Sequence, residues 1–160
     1  MTTTGPPGRP TSTGQHFTPE PTAAFLWEQI RSVMPPVLPS GKRLRVVDPA
    51  AGEGALLRPL DGVQTDLAIG LEIDPVVAKR GRKVGVEVGD GLLDHQLRAA
   101  SFDVAVANPP FGRASDLLTE DQWRQLGSRR GPSIWGEWSA NSRRRFASRP
   151  LEQLFVERCL

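Results

Sequence analysis

A chain of 160 residues with 38% hydrophobic and 24% charged side chains has the size and balance of one compact domain able to bury a core. No apolar run approaches the roughly 18 residues that cross a bilayer, and the opening MTTTGPPGRPTSTG has no stretch of the signal-peptide kind, so a cytoplasmic location is expected. The lone Cys159 allows neither an internal disulfide nor a cysteine-based zinc site, and the net charge of +2 is uneven: 11 Lys+Arg face 12 Asp+Glu in residues 1–112, but 9 face 6 in residues 113–160.

Residues 1–13, rich in Pro, Thr, Ser and Gly with a single charge, have nothing to bury and are expected to form a disordered tail. From Pro21 to Met34 the apolar Ala23, Leu26, Ile30 and Val33 recur at helical spacing, with Thr22 as a cap and Pro35-Pro36 as a stop. Leu44 to Val47 reads as a buried strand that runs into Asp48-Pro49 and a glycine turn. A second strand, Leu67 to Ile73, leads to Asp74-Pro75, where aspartate caps a helix and proline suits its first position; that helix should end near Gly85. Val86 to Val88 predicts a third strand, Leu92 to Ala99 a short helix, and Phe102 to Ala107 a fourth strand. Strands alternating with helices predict an α/β fold, a parallel sheet with helices on both faces. Residues 113–149 hold three of the four tryptophans and the run Arg143-Arg144-Arg145, and read as an inserted loop region; residues 150–160 read as an amphipathic terminal helix. Arginine outnumbers lysine 17 to 3, which fits phosphate contact by guanidinium and fits GC-rich codon usage equally well.

The chemistry is concentrated at the strand ends. Ligands of open α/β sheets bind at the carboxyl edge of the strands. Asp48-Pro49-Ala50-Ala51-Gly52-Glu53-Gly54 brings glycines that admit a ligand close to the backbone, but Asp48 and Glu53 put negative charge where a phosphate would sit. A ligand with a positive centre fits better, and S-adenosylmethionine carries both a sulfonium and an ammonium group. Glu72 after the second strand can accept from ribose hydroxyls, and Asp90 after the third from an adenine amine. Each acid alone is more simply a helix cap; three in succession are not. After the fourth strand comes Asn108-Pro109-Pro110-Phe111. Taken alone it is a turn. At this edge the Asn108 side-chain carbonyl and the Pro109 backbone carbonyl can accept both hydrogens of an exocyclic amine, directing its lone pair at a methyl donor. The prolines stiffen the turn, and Phe111 offers a face for an extruded base.

Together with Gly14-Gln15-His16-Phe17-Thr18-Pro19, these motifs resemble the adenine-N6 DNA methyltransferases, notably those of restriction-modification systems, over roughly residues 14–112 and the Leu154–Arg158 segment. The resemblance implies a Rossmann-like methyltransferase sheet, S-adenosyl-L-methionine as cofactor and DNA as partner. It implies that Phe17 and Thr18 contact the methionine or adenosine portion, that Asp48 and Gly52 line the amino-acid portion with Ala50 beside them, and that Glu72 holds the ribose. Ile73 would pack on the adenine, Asp90 would bond its amine, and Asn108, Pro109, Pro110 and Phe111 would hold the target base. Arg143, Arg144 and Arg145, near Trp135 and Trp138, are candidate phosphate contacts or a solvated loop. Glutamine and RNA-guanine methyltransferases share an Asn-Pro-Pro-aromatic turn and are the alternative substrates; a non-catalytic binding remnant is the alternative class. Members of the family continue with three further strands, so only the first four are expected here. A second chain or a missing C-terminal half would then complete the sheet and supply sequence recognition.

Overall fold

The computed structural model describes residues 16–33, 43–60, 65–93, 97, 101–128, 132–133, 136–137 and 148–159. The elements in chain order are α1 (Glu20–Val33), β1 (Leu44–Asp48), β2 (Thr65–Glu72), α2 (Pro75–Gly81), β3 (Val86–Val88), β4 (Val104–Ala105), α3 (Ala114–Leu117), α4 (Glu120–Ser128), the short pair β5 (Pro132–Ser133) and β6 (Gly136–Glu137), and α5 (Leu151–Cys159). The main sheet has the order β3-β2-β1-β4 with every pairing parallel. The expected four-stranded α/β architecture is therefore present.

Alternation along β1 sends neighbouring valines to opposite faces. Val46 joins Leu44, Val86 and Val106 in a core covered by Ala23 and Trp27 of α1 and Ala78 of α2. Val47 joins Leu71 and Leu97 on the other face, which α5 reaches through Arg158, whose guanidinium donates to the Leu97 carbonyl. Helices thus lie on both faces. A third cluster joins Leu92 and Leu93 to Ala114, Trp123, Leu126, Leu151, Leu154 and Phe155, fastening α3, α4 and α5 beside the sheet edge.

Local sequence explains most of the boundaries. Asp74 caps α2 by accepting from the Val76 and Val77 amides at 2.8 and 3.4 Å, with Pro75 at the first position. After a 3-10 turn over Arg82–Val84, Gly85 ends the segment at φ 91°, where a side chain is strained. Helix α1 starts at Glu20, so Thr22 lies inside it rather than capping it; Trp27 anchors it by donating to the Leu56 carbonyl at 2.7 Å. Val33, expected on the apolar face, is 81% exposed, because the buried stripe rests on Ala23 and Trp27.

Three expectations change. The fourth strand shrinks from six residues to Val104–Ala105, since among the described residues only β1 pairs with it. Within 113–149, read as loop, residues 114–117 and 120–128 are helical, because Trp123 and Leu126 bury an apolar stripe. Of the helix expected over Leu92–Ala99, residues 91–93 form a turn, while 94–96 and 98–100 lie outside the described residues. The tail 1–13, His95, Trp135, Trp138 and Arg143 to Arg145 also lie outside them.

The loop after β1 is seated by close backbone contact. A Cβ on Gly91 would stand 1.8 Å from the Pro49 carbonyl oxygen, a rigid atom that cannot swing away. Gly91→Ala is expected to lower unfolding stability by about 2–4 kcal/mol, read as a shifted urea midpoint; an unchanged midpoint would show that the loop yields freely.

Candidate active site

Parallel strands of unequal length end along one edge, and the loops after β1, β2 and β3 and the turn after β4 converge there. They enclose a cavity of about 340 Å³ lined by Phe17, Ala50, Gly52, Glu72, Ile73, Asp90, Asn108 and Pro110, with α3, α4 and α5 closing the far side. That volume suits a small-molecule site, for which roughly 300–1,000 Å³ is usual. An adjoining recess of about 70 Å³ shares Phe17, Gly52 and Asn108 and adds Thr18, Asp48, Glu53 and Arg58. Among the described residues no lysine or arginine lines the larger cavity, whereas Glu72, Asp74, Asp90 and Asp116 do. Such a wall repels phosphate and attracts cations.

Asp48 ends β1 and is buried to 1% exposure. Burial pushes its carboxyl up to about 7; the bond from the Ala50 amide at 3.0 Å opposes this, and the charge of Glu72 adds to it. Glu72 ends β2 and is engaged by backbone: Oε2 accepts from the Gly52 amide at 3.0 Å and Oε1 from the Asp74 amide at 2.8 Å. The carboxylate therefore ties the loop after β1 to the turn after β2, and it also lines the cavity. Gly52 holds φ 54°, and an added Cβ would meet the Phe17 ring at 3.3 Å, so glycine here serves both turn and packing. Asp90 accepts from the Leu92 and Leu93 amides through Oδ1 at 3.0 and 3.2 Å, and from Gln122 Nε2 through Oδ2 at 2.7 Å.

The turn after β4 is tied to the segment that precedes α1. Asn108 Nδ2 donates to the His16 carbonyl at 3.1 Å and to Thr18 Oγ1 at 3.0 Å. A backbone carbonyl can only accept, so the amide nitrogen must face His16, and the Asn108 carbonyl is left outside these bonds. The His16 ring meets the Phe111 ring edge-on, with centroids 5.7 Å apart. Phe111 is 48% exposed.

Of the residues expected to bind or react, Phe17, Ala50, Gly52, Glu72, Ile73, Asp90, Asn108 and Pro110 line the larger cavity; Thr18 and Asp48 line the recess. Pro109 and Phe111 line neither and stand at the rim formed by the turn. Thr119 and Gln122, absent from the sequence reading, also line the cavity. Their signal was Thr119-Glu120-Asp121-Gln122, a capping box. Cys159, half-buried at the end of α5, has its thiol pushed up by burial and by Asp48, against Arg158.

No family model matches the chain, and no curated protein matches it. Among solved structures it is similar to a TehB-like SAM-dependent methyltransferase from Corynebacterium glutamicum, at 21% identity and TM-score 0.40 over 64% of this chain and 50% of that one. It is also similar to a Thermoplasma acidophilum protein (20%, TM-score 0.42, 65% and 52%) and to an S-adenosylmethionine dependent methyltransferase from Mesorhizobium loti (23%, 0.41, 72% and 52%). The chain spans about half the length of each.

Proposed function

We propose that this chain carries the cofactor-binding and catalytic portion of an S-adenosylmethionine-dependent methyltransferase acting on the exocyclic N6 amine of adenine in DNA. The observation that carries the reading is the Asn108 amide, held with both donor hydrogens on His16 and Thr18 so that its carbonyl remains for a substrate amine.

The residues present fit the cofactor. It brings a nucleoside and two positive centres, and the edge offers a nucleoside-sized cavity, a wall carrying Glu72, Asp74, Asp90 and Asp116 with no Lys or Arg among its described residues, and a buried carboxyl in the adjoining recess. Asp48 and Gly52 would hold the amino-acid end beside Phe17, Glu72 would accept from ribose hydroxyls, and Asp90 would take the adenine amine. When bound, the cofactor supplies an electrophilic methyl group.

The chain's own residues act on the other reactant. An aromatic amine is a weak nucleophile because its lone pair is delocalised into the ring. Accepting both N–H hydrogens, on Asn108 Oδ1 and the Pro109 carbonyl, draws electron density to the nitrogen and turns its lone pair out of the ring. Pro109 and Pro110 have no N–H to compete for those carbonyls. Phe111, exposed at the rim, gives a stacking face for a base swung out of the duplex. Catalysis is then mainly positioning and charge complementarity.

The test is transfer of a labelled methyl group from S-adenosylmethionine to adenine-containing DNA, followed by nucleoside analysis. N6-methyladenine supports the reading. Label on a glutamine-containing peptide or on RNA guanine moves the substrate class, and cofactor binding with no transfer to any of them leaves a binding module.

A further inference from the structure

Asp90 does not face the cavity alone. Gln122, on the first turn of α4, donates from Nε2 to Asp90 Oδ2 at 2.7 Å, while its own Oε1 accepts from the Thr119 amide at 2.9 Å and from Thr119 Oγ1 at 3.1 Å. The Gln122 backbone N–H completes the box by donating to Thr119 Oγ1 at 3.2 Å. The orientation of the side-chain amide is fixed by chemistry. Flipped, its NH₂ would face the Thr119 N–H, donor against donor, and its carbonyl would face a carboxylate. One Nε2 hydrogen is spent on Asp90, which leaves the other; Asp90 Oδ2 likewise keeps a second lone pair. Both residues line the larger cavity.

We infer that Gln122 is a specificity-determining residue, the donor half of a donor–acceptor pair with Asp90 that reads the edge of a purine. This rests on the nucleoside-cofactor reading above. Adenine presents an amine hydrogen beside a ring nitrogen that accepts, which complements an acceptor at Asp90 and a donor at Gln122. Hypoxanthine presents the reverse order, a carbonyl beside an N–H, and would set its oxygen against the Asp90 carboxylate. Sites built on such hydrogen bonds reject the mismatched analogue far more strongly than apolar pockets reject a methylene.

Substitutions separate this role from the structural one. Gln122→Glu keeps the acceptor for Thr119, hence the capping box and α4, but removes the donor and adds a second carboxylate. Asp90→Asn combined with Gln122→Glu restores a hydrogen bond between the two residues in the opposite sense and reverses the order offered to the ligand. Calorimetric titration uses S-adenosylhomocysteine and its inosine counterpart, S-inosylhomocysteine, with urea midpoints measured alongside. The wild type should favour the adenosine ligand by at least about tenfold, Gln122→Glu should lose about tenfold or more of that affinity, and the double variant should favour the inosine ligand. Unchanged affinity in Gln122→Glu, or a double variant that still favours adenosine, overturns the inference while leaving the cofactor reading intact. A wild type that binds neither ligand overturns both.

Discussion

Asn108→Ala is expected to reduce methyl transfer to adenine by at least about a hundredfold, with cofactor affinity changed by less than about threefold. Removal of one preorganised polar group at a reacting centre commonly costs about 10²–10³ in turnover. The split between turnover and affinity is the diagnostic part, because Asn108 lies where the cavity and the recess meet and not among the strand-end acids. Asn108→Asp sharpens the result. An ionised carboxylate accepts at least as well as the amide carbonyl, but it cannot donate to the His16 carbonyl, with which Asn108 now bonds at 3.1 Å. If orientation of the acceptor is what matters, the aspartate variant is nearly as slow as the alanine variant. Wild-type turnover in Asn108→Ala, measured by single-turnover transfer, would remove Asn108 from the mechanism.

Asp48 should make ligand binding depend on pH. With its carboxyl pushed up to about 7, the free protein holds this residue protonated through the mildly acidic range, whereas a ligand ammonium or sulfonium needs it ionised. Affinity for S-adenosylmethionine should therefore rise with pH, by about tenfold between pH 6 and pH 7.5, and binding below pH 7 should release a proton. Asp48→Asn should abolish that slope and lower affinity at pH 8 by about a hundredfold, the scale of losing one partner from a buried ion pair. The same residue acts on stability in the opposite direction. Between about pH 3.8, its ordinary value, and about 7, the folded chain holds a proton that the unfolded chain has released, so Asp48's contribution to stability falls as pH rises across that window. At about 1.4 kcal/mol per unit, the full cost above pH 7 is on the order of 4 kcal/mol. Asp48→Asn, able to keep the acceptor for the Ala50 amide, should thus be more stable than wild type in urea at pH 8 and closer to it at pH 5. Equal stability at both values would mean that Asp48 titrates normally. Destabilisation of the free protein by a residue proposed to hold a ligand is the usual mark of a site built for one.

Both predictions concern residues whose positions could be read from the sequence, and the reason is local. Asp48, Glu72 and Asn108 each follow an apolar run, and a parallel strand delivers the residues at its end to the carboxyl edge wherever its neighbours lie. The Asp74-Pro75 start of α2 and the Gly85 stop of the 3-10 turn that follows it are equally local, resting on a cap within three residues and a backbone angle that glycine tolerates. What escaped was set by distance. The bond from Gln122 to Asp90 spans 32 residues, and those from Asn108 to His16 and Thr18 span 92 and 90. Helices α3 and α4 lie in a stretch that reads as loop because it is polar and tryptophan-rich, although Thr119 and Gln122 mark a helix start. The sequence offers Glu72 as a ligand contact, with a helix cap as the plainer alternative for any one such acid. Its two bonds to the Gly52 and Asp74 amides give it a structural duty that no spacing announces.

The grip of His16 and Thr18 on Asn108 separates two properties usually supplied by one scaffold. The sheet brings the turn after β4 to the edge, but the rotation of the Asn108 amide about its last torsion is decided by a stretch of chain that belongs to no strand or helix. The aim of the acceptor is therefore acquired only when that stretch is laid down across the turn. A correctly paired sheet without it would have the right residue in the right place with no preferred direction.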